Sequence, residues 1–466
     1  MSVNTSRSSL ACAAAVAILA AGLSAPAFAV ADEDLTTRTR LTGDWNGARS
    51  ALEEKGIDIV VQYIGETLGV SGGVYSSGAH ATYEGRLDVT INSDLERLIG
   101  WKGGKTQIRA FQIHDINNRN AVAYTGSIAD PSNIDASPTT RLFTAWYQHE
   151  FGTVAALRLG QLAADDEFLV APTAGGLING TFGWAAIAAG NIRSGGPAYP
   201  LATPGVRLQL NPTETISLLG AVFSGDPAGK DCYTTGAGDP QLCNKSGSAF
   251  STSGGALWIG EIQYNLNQSP DSKGLAGSYK LGGWYHTGKF ADQHYGLDAA
   301  TGAVVSKALG YDTEVLHSGS WGIYGVVDQM IWRTTEASAN VFLRAGVSPS
   351  DRNLVSWYID GGVGLKGVIS GRASDTLTVG FAYSRISTDA IALDTDLYAI
   401  DGIYPRRAAE AVFEISYIAQ ITPWWNLQPD IQYIVKPNGN VLIDGDMANG
   451  LVDDAFVFGV RTTMTF

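Results

Sequence analysis

Along most of the chain, apolar and polar residues alternate in stretches of about ten, each ended by a cluster of Gly, Pro, Asn, Asp or Ser. A period of two sends successive side chains to opposite faces of an extended strand. Segments of this length with turn residues between them form the pattern of strands that cross a bilayer in a closed barrel. The last segment is the clearest: Phe456, Phe458, Val460, Thr462, Met464 and Phe466 share one face, and Gly459, Arg461, Thr463 and Thr465 the other. Leu87, Val89, Ile91 and Leu95 alternate in the same way with Arg86, Asp88, Thr90, Asn92 and Asp94. Leu377, Val379, Phe381 and Tyr383 alternate with Thr376, Thr378 and Ser384, and Phe413, Ile415 and Tyr417 with Glu410, Glu414 and Ser416. Leu427, Ile431, Tyr433 and Val435 alternate with Gln428, Asp430 and Gln432. In lipid the apolar set must face outward, because an unpaired polar group in hydrocarbon costs several kcal/mol, so the polar set lines a water-holding lumen.

Sixteen such segments occur, near residues 58, 85, 105, 141, 154, 204, 214, 255, 277, 321, 337, 354, 374, 408, 425 and 455. Connections after the even-numbered segments are mostly short, as at Gly152-Thr153, Asn211 to Glu214, Thr334 to Glu336 and Thr422 to Trp424. Those after the odd-numbered ones are mostly long, at 116–140, 163–203, 225–254, 290–320, 388–407 and 437–453, with a short exception around Pro349 to Asn353. This asymmetry is expected of a barrel with both chain ends in the periplasm. The pattern therefore predicts an all-β fold, a 16-stranded antiparallel transmembrane β-barrel over residues 58–466, with short periplasmic turns and long extracellular loops. Ahead of it, in a periplasmic segment over 30–57, Asp44 to Lys55 reads as a short helix. Asp44 would cap it, Ala48, Ala51 and Leu52 share one side, and Gly56 stops it.

The first residues read differently. Arg7, an apolar run from Leu10 to Leu23 and Ala27-Phe28-Ala29 make a signal peptide over 1–29, cleaved after Ala29. Cys12 precedes most of the apolar run, which argues against a lipoprotein. No later stretch reaches the ~18 apolar residues that a membrane helix needs. Glycine, at 56 of 466 residues, is about 12% of the chain against a usual ~7%, which suits tight turns. The 11 Trp and 19 Tyr suit the two membrane interfaces. A net charge of −14 argues against a nucleic-acid partner. Cys232 and Cys243 flank a turn-rich segment and, in an oxidising compartment, are expected to close a loop by a disulfide, with two free thiols as the alternative.

Motifs of enzymes are present only by composition. Gly69 to Gly73 fits G-x-S-x-G and Gly362 to Gly367 fits G-x-G-x-x-G, yet no helix follows either, as both chemistries require. Of the six histidines no pair has the spacing of a zinc helix, and His286 and His294, near a strand end and the next loop, read as surface residues. No catalytic residue, metal site or cofactor is expected. The informative residues are charges on the lumen phase: Arg86, Arg158, Arg207 and Arg461, and Arg109 if Phe111 and Ile113 in its phase also face inward. On the lipid face each would cost about 2–4 kcal/mol near midplane. Two readings stand together: pairing with lumenal Asp88, Asp94, Glu410 or Glu414, and a constriction where fixed donors and acceptors replace part of a solute's hydration. The loop after the fifth strand carries Asp165, Asp166 and Glu167, Gly175, Gly176, Gly180 and Gly183, and the apolar Phe168, Leu169, Val170, Phe182 and Trp184. Such content predicts that it folds inward and narrows the pore.

Several stretches together carry a family resemblance: Leu41-Thr42-Gly43-Asp44-Trp45-Asn46-Gly47, Lys55-Gly56-Ile57-Asp58, Leu159 to Phe168, Tyr199 to Arg207, Gly283 to Gly288, Ala345 to Asn353 and Pro423 to Asp430. In this combination the chain resembles the carbohydrate-selective porin family OprB. The resemblance implies a sixteen-stranded outer-membrane porin of a Gram-negative cell, admitting sugars, glucose among them, by passive diffusion through a pore narrowed by an inward-folded loop. It also implies a lining of Arg and acidic residues, for which Arg86, Arg109 and Arg158 on the wall and Asp165, Asp166 and Glu167 on the loop are the matching positions, with Arg207, Glu410, Glu414 and Arg461 as further lumen candidates. A non-selective or ion-preferring general porin is the alternative reading, and a barrel enzyme or adhesin a third; a TonB-type importer would need a plug domain before the first strand. Expected partners are sugars, outer-membrane lipid and lipopolysaccharide, and barrel-assembly machinery reading the terminal Phe466. Monomer and homotrimer both remain open.

Overall fold

Each of the sixteen alternating segments contains a strand, and consecutive strands pair antiparallel around a closed sheet. The computed structural model describes residues 34–116, 120–230, 232, 239–269 and 271–466, without the side chains of 75–78; the signal segment 1–29 and its cleavage point lie outside the described residues. The strands are β1 (Ile57–Gly72), β2 (Tyr75–Asp94), β3 (Gly104–Asp115), β4 (Thr139–Phe151), β5 (Ala155–Leu162), β6 (Thr203–Leu210), β7 (Ile216–Ser224) and β8 (Ala256–Leu266). They continue as β9 (Gly277–Leu297), the three-residue β10 (Val304–Ser306), β11 (Thr313–Arg333), β12 (Ser338–Val347), β13 (Val355–Lys366), β14 (Thr376–Ile386), β15 (Ala409–Thr422), β16 (Trp425–Val435) and β17 (Ala455–Thr465). β17 pairs with β1 from Gln62↔Thr465 to Gly72↔Ala455, so the sheet has no free edge. β10 pairs only with β9 and adds no wall strand.

The division of faces follows the alternation. Phe456, Phe458 and Val460 are exposed, while Val457 and Arg461 on the alternate face are buried. Trp258, Ile262, Leu281, Ile323, Ile415 and Ile431 continue the exposed band around the barrel. Phe111 and Ile113 are each 1% exposed and Ile108 is 53% exposed, which places the phase of Arg109 inside. One expected loop is mostly strand: β9 and β11, 21 residues each, stay paired out to Leu297↔Thr313, so much of 290–320 is a ribbon that prolongs the wall. The period-two signal fades there because both faces of a ribbon beyond the bilayer can be polar. The connection from β1 to β2 is also tight, with Gly72 at φ +81° and Gly73 at φ +74°.

Two local expectations need correcting. The N-terminal helix spans only Ala48–Glu54, with Gly47 at its cap; Asp44 instead accepts from the Ser50 N–H at 2.8 Å and hydroxyl at 2.9 Å. Its buried residue is Arg49, not Ala51, because the Arg49 guanidinium stacks 4.0 Å over Trp45 and donates to the Phe466 carbonyl oxygen at 3.0 Å. Leu41 N–H to Thr465 O (2.7 Å) and Trp424 Nε1 to Leu35 O (2.7 Å) fasten the rest of this segment at the short-turn rim. His286 and His294 are buried on β9 rather than surface residues: His286 Nε2 meets Gly225 O at 2.7 Å, and His294 Nε2 meets Asp396 of the helix Thr388–Asp401 at 2.6 Å.

The apolar core sits inside the barrel. Phe168, Leu169, Leu177, Phe182 and Ile187, all from the connection between β5 and β6, pack on Trp284, Tyr324, Phe342 and Tyr358 of the wall. Gly380 of β14 permits this approach, since a Cβ there would lie 2.4 Å from Leu177 and 2.9 Å from Phe182. The lumen is therefore partly filled from one side.

Candidate functional site

A chain segment crossing a barrel interior has backbone N–H and C=O groups without a sheet partner, and buried groups of this kind must be satisfied by something. Here the wall from β8 to β16 supplies the partners for the 163–202 loop. Glu261 of β8 accepts from Leu169 N–H at 3.1 Å, and Asp328 of β11 accepts from the Thr173 N–H (2.7 Å) and hydroxyl (2.8 Å). Glu414 of β15 accepts from the N–H groups of Ile178 and Asn179, and Gln432 of β16 accepts from the Asn179 side chain at 3.0 Å. Arg344 of β12, fully buried and paired with Asp360 of β13, donates to the carbonyls of Leu169 (2.9 Å), Thr181 (2.7 Å) and Gly183 (2.8 Å).

A second connection, between β3 and β4, also turns inward and packs on the first. Asn133 N–H donates to Ile178 O (2.8 Å), Gly180 N–H to Asp130 O (2.7 Å), and the Tyr199 hydroxyl to Ile134 O (2.6 Å). Glu410 of β15 holds this segment through Ile128 N–H (2.7 Å) and Ala129 N–H (2.8 Å), and also takes Asn438 N–H (2.7 Å). Glu410 and Glu414 thus face inward but bind loop backbone, and neither pairs with an arginine. Asp94 takes no part in this network; it caps the helix Leu95–Ile99 at the short-turn rim and lies 3.7 Å from Arg97.

The wall from β2 to β6 is different. Arg109 of β3 meets Asp88 through Nε (2.9 Å) and Nη2 (2.5 Å), and its Nη1 lies 3.7 Å from Asp166. Arg158 of β5 and Arg207 of β6 are direct cross-strand partners, a repulsive placement on its own. Glu167 removes the repulsion by meeting Arg158 at 2.6 Å and Arg207 at 2.6 and 2.7 Å, and Gln148 accepts from both arginines. The Arg158 guanidinium also lies 4.0 Å over the Trp146 ring. Arg86 of β2 sits between Phe111 and Tyr199, 4.8 Å from each ring, and its Nε has no hydrogen-bond partner in the protein. Arg461 of β17 pairs with Glu66 and donates to Asn133 at 2.6 Å, so it braces the second loop.

Between this wall and the two loops lies a cavity of about 430 Å³, lined among others by Arg86, Arg109, Arg461, Asp165, Asp166, Tyr199 and Trp184. Arg158, Arg207 and Glu167 form an adjoining cluster closer to the short-turn rim. Asp165 accepts from Tyr199 N–H at 2.9 Å. Burial, followed by the charge of Asp166 beside it, pushes the Asp165 carboxyl up to about 7. Burial likewise raises Asp166, against the pull of Arg109, and pushes Asp135 on the second loop up to about 7. Cys232 and Cys243, bonded with Cα atoms 5.4 Å apart, lie in the connection from β7 to β8, away from this cavity. Among the described residues, no group of three or more His, Cys, Asp or Glu could hold a metal.

Sequence reasoning singled out neither Arg344 nor the second loop. Arg344 lies on the polar phase of β12 and was open to the same argument as the other arginines. The second loop shares with the first many small residues and carboxylates, as in Ala129 to Pro138 with Asp130 and Asp135.

Comparison with known proteins matches this architecture. Porin B of Pseudomonas aeruginosa is 24% identical over 452 residues, covering 91% of each chain. A putative porin QuiX of Acinetobacter baylyi is 23% identical over 461 residues, covering 92% of this chain and 93% of the relative. The high pH structure of Pseudomonas putida OprB superposes with a TM-score of 0.79 at 22% identity, over 93% of this chain and 100% of that one. The model of the carbohydrate-selective porin family matches residues 79–466. With most of its length matched, the chain belongs to the carbohydrate-selective porin family, OprB.

Proposed function

We propose that the arginines of β2, β3, β5 and β6, facing Asp165, Asp166 and Glu167, are the selecting element of this outer-membrane carbohydrate porin. The observation that carries the reading is the cavity of about 430 Å³ where Arg86 and Arg109 stand opposite Asp165 and Asp166, with Tyr199 and Trp184 beside them. Donors and acceptors on facing walls can replace the water around a hydroxylated solute, and the aromatic rings offer apolar surface to its C–H face. Opposed charges of both signs favour neither cation nor anion strongly. Nothing in such a passage couples to energy, so sugars move down their gradient, and the site serves passage rather than hydrolysis.

The remaining roles follow from position. Residues 1–29 are removed on export, the exposed apolar band contacts lipid and lipopolysaccharide, and Phe466 at the last strand's end is read by the barrel-assembly machinery. The Cys232–Cys243 bond closes its loop without touching the pore. The deciding experiment is single-channel conductance in planar bilayers with glucose or maltose added. Concentration-dependent block of the ion current is expected. Strong ion preference without any sugar block would overturn the reading in favour of a general porin.

A further inference from the structure

Beside the Arg158–Glu167 cluster, near the short-turn rim, lies a second cavity of about 540 Å³, within the roughly 300–1,000 Å³ usual for small-molecule sites. Its walls come from separate parts of the chain. Arg40 and Glu53 belong to the N-terminal segment, Asp58 to β1, Asn92 to β2, Lys105 to β3 and Trp146 to β4. Trp146 links the arginine cluster to this cavity, because Arg158 stacks on its ring at 4.0 Å while the same residue lines the cavity.

The polar groups here are held in place by a hydrogen-bonded chain. Thr144 donates to Gln107 (3.2 Å), Gln107 to Asn92 (3.0 Å) and Asn92 to Asp58 (3.4 Å). Arg40 then ties Asp58 (3.3 Å) to Glu53 (3.1 Å), fixing the N-terminal segment against the wall. Arg40, Arg97 and Lys105 balance Glu53, Asp58 and Asp94 among the lining residues, so an ion of either sign meets no net attraction. A neutral solute with many hydroxyls meets ordered donors and acceptors beside one aromatic surface, which is the chemistry of a sugar ring.

We propose that this cavity is an exit subsite for one sugar unit, with Trp146 as its platform and the N-terminal segment as its inner wall. The inference rests on sugar passage through the constriction above it and adds a second station on the periplasmic side. A sugar leaving the Arg158–Glu167 cluster passes directly onto Trp146. A sugar added from the periplasm reaches Trp146 first.

The test uses the full-length porin inserted in one orientation in planar bilayers, with maltose added to one side at a time and residence times read from current noise. Maltose from the periplasmic side is expected to give a relaxation separate from that of maltose added from the outer side. Trp146→Ala should shorten the periplasmic-side residence roughly tenfold, with Trp146→Phe close to wild type. Asn92→Ala, remote from Arg158, should shorten it less, and reversal potential should stay unchanged in all three. Unaltered residence in both Trp146→Ala and Asn92→Ala would overturn the subsite. So would equal losses from both sides with a shifted reversal potential, since the substitution would then act through Arg158. A wild-type porin that maltose blocks from neither side would overturn the constriction reading, and the subsite with it.

Discussion

The two halves of the barrel wall carry similar polar residues and use most of them differently, although Glu84 of β2 and Arg141 of β4 also bind loop backbone, at Ala136 and Pro200. From β8 to β16, Glu261, Asp328, Arg344, Glu410, Glu414 and Gln432 are spent on the backbone of inward-folded loops. From β2 to β6, Arg109, Arg158 and Arg207 hold carboxylates at the edge of open lumen, and Arg86 keeps a guanidinium nitrogen without a protein partner. The difference teaches that a charge inside a barrel is not thereby a charge in the path. On the function proposed above, one wall places the obstruction and the other gives it a chemical preference.

The largest effect should come from breaking the placing wall. Arg344→Ala leaves Asp360 buried with only the Tyr358 hydroxyl and takes the guanidinium donor from three loop carbonyls; losing one member of such a pair costs about 3–5 kcal/mol. The loop is expected to leave its seat, raising single-channel conductance and admitting larger sugars in liposome swelling. Unchanged conductance in a folded Arg344→Ala barrel would show that the loop is held by its apolar packing alone.

A smaller effect is expected on the selecting wall. Glu167→Gln removes the shared counter-charge of Arg158 and Arg207, so anions should be favoured by on the order of fivefold, the ratio that corresponds to about 1 kcal/mol. Reversal potential in a salt gradient measures it, and conductance should hardly move.

Smaller again is the response to pH. Asp165, pushed up to about 7, is largely neutral below that value and ionised above it. Its elevated value also means that the stability it contributes is present while it is protonated and is lost as pH rises through about 7. Cation preference should therefore grow between about pH 6 and 8, and Asp165→Asn should flatten the change. A flat wild-type profile would place Asp165 out of the conducting path.

The barrel was legible because lipid imposes a strict division of faces: Phe456 to Phe466 and Leu427 to Val435 could be read strand by strand. The lumen was less legible for a physical reason. Alternation says that Glu414 and Arg158 both face inward, but the partner of each is a loop residue whose position depends on the whole closed sheet. A carboxylate cluster, glycines and many apolar residues marked the loop after the fifth strand for folding inward, whereas the second loop carries fewer such marks and was read as an outer connection. His286 and His294 were misplaced because the β9–β11 ribbon extends beyond the alternating region. Arg49 hides in a short helix whose buried side is set by the chain's own C-terminus rather than by apolar spacing.

The division between the walls is tested most directly by recording Glu414→Ala and Glu167→Gln side by side, reading single-channel conductance and reversal potential from the same channels. Glu414→Ala should raise conductance and keep the wild-type ion preference, because Asp166 and Glu167 stay held by Arg109, Arg158 and Arg207 and Asp165 by the Tyr199 N–H. Glu167→Gln should do the reverse, shifting preference toward anions at nearly wild-type conductance. If both substitutions move the same quantity, or exchange these effects, the two walls do not divide the work and the account is wrong.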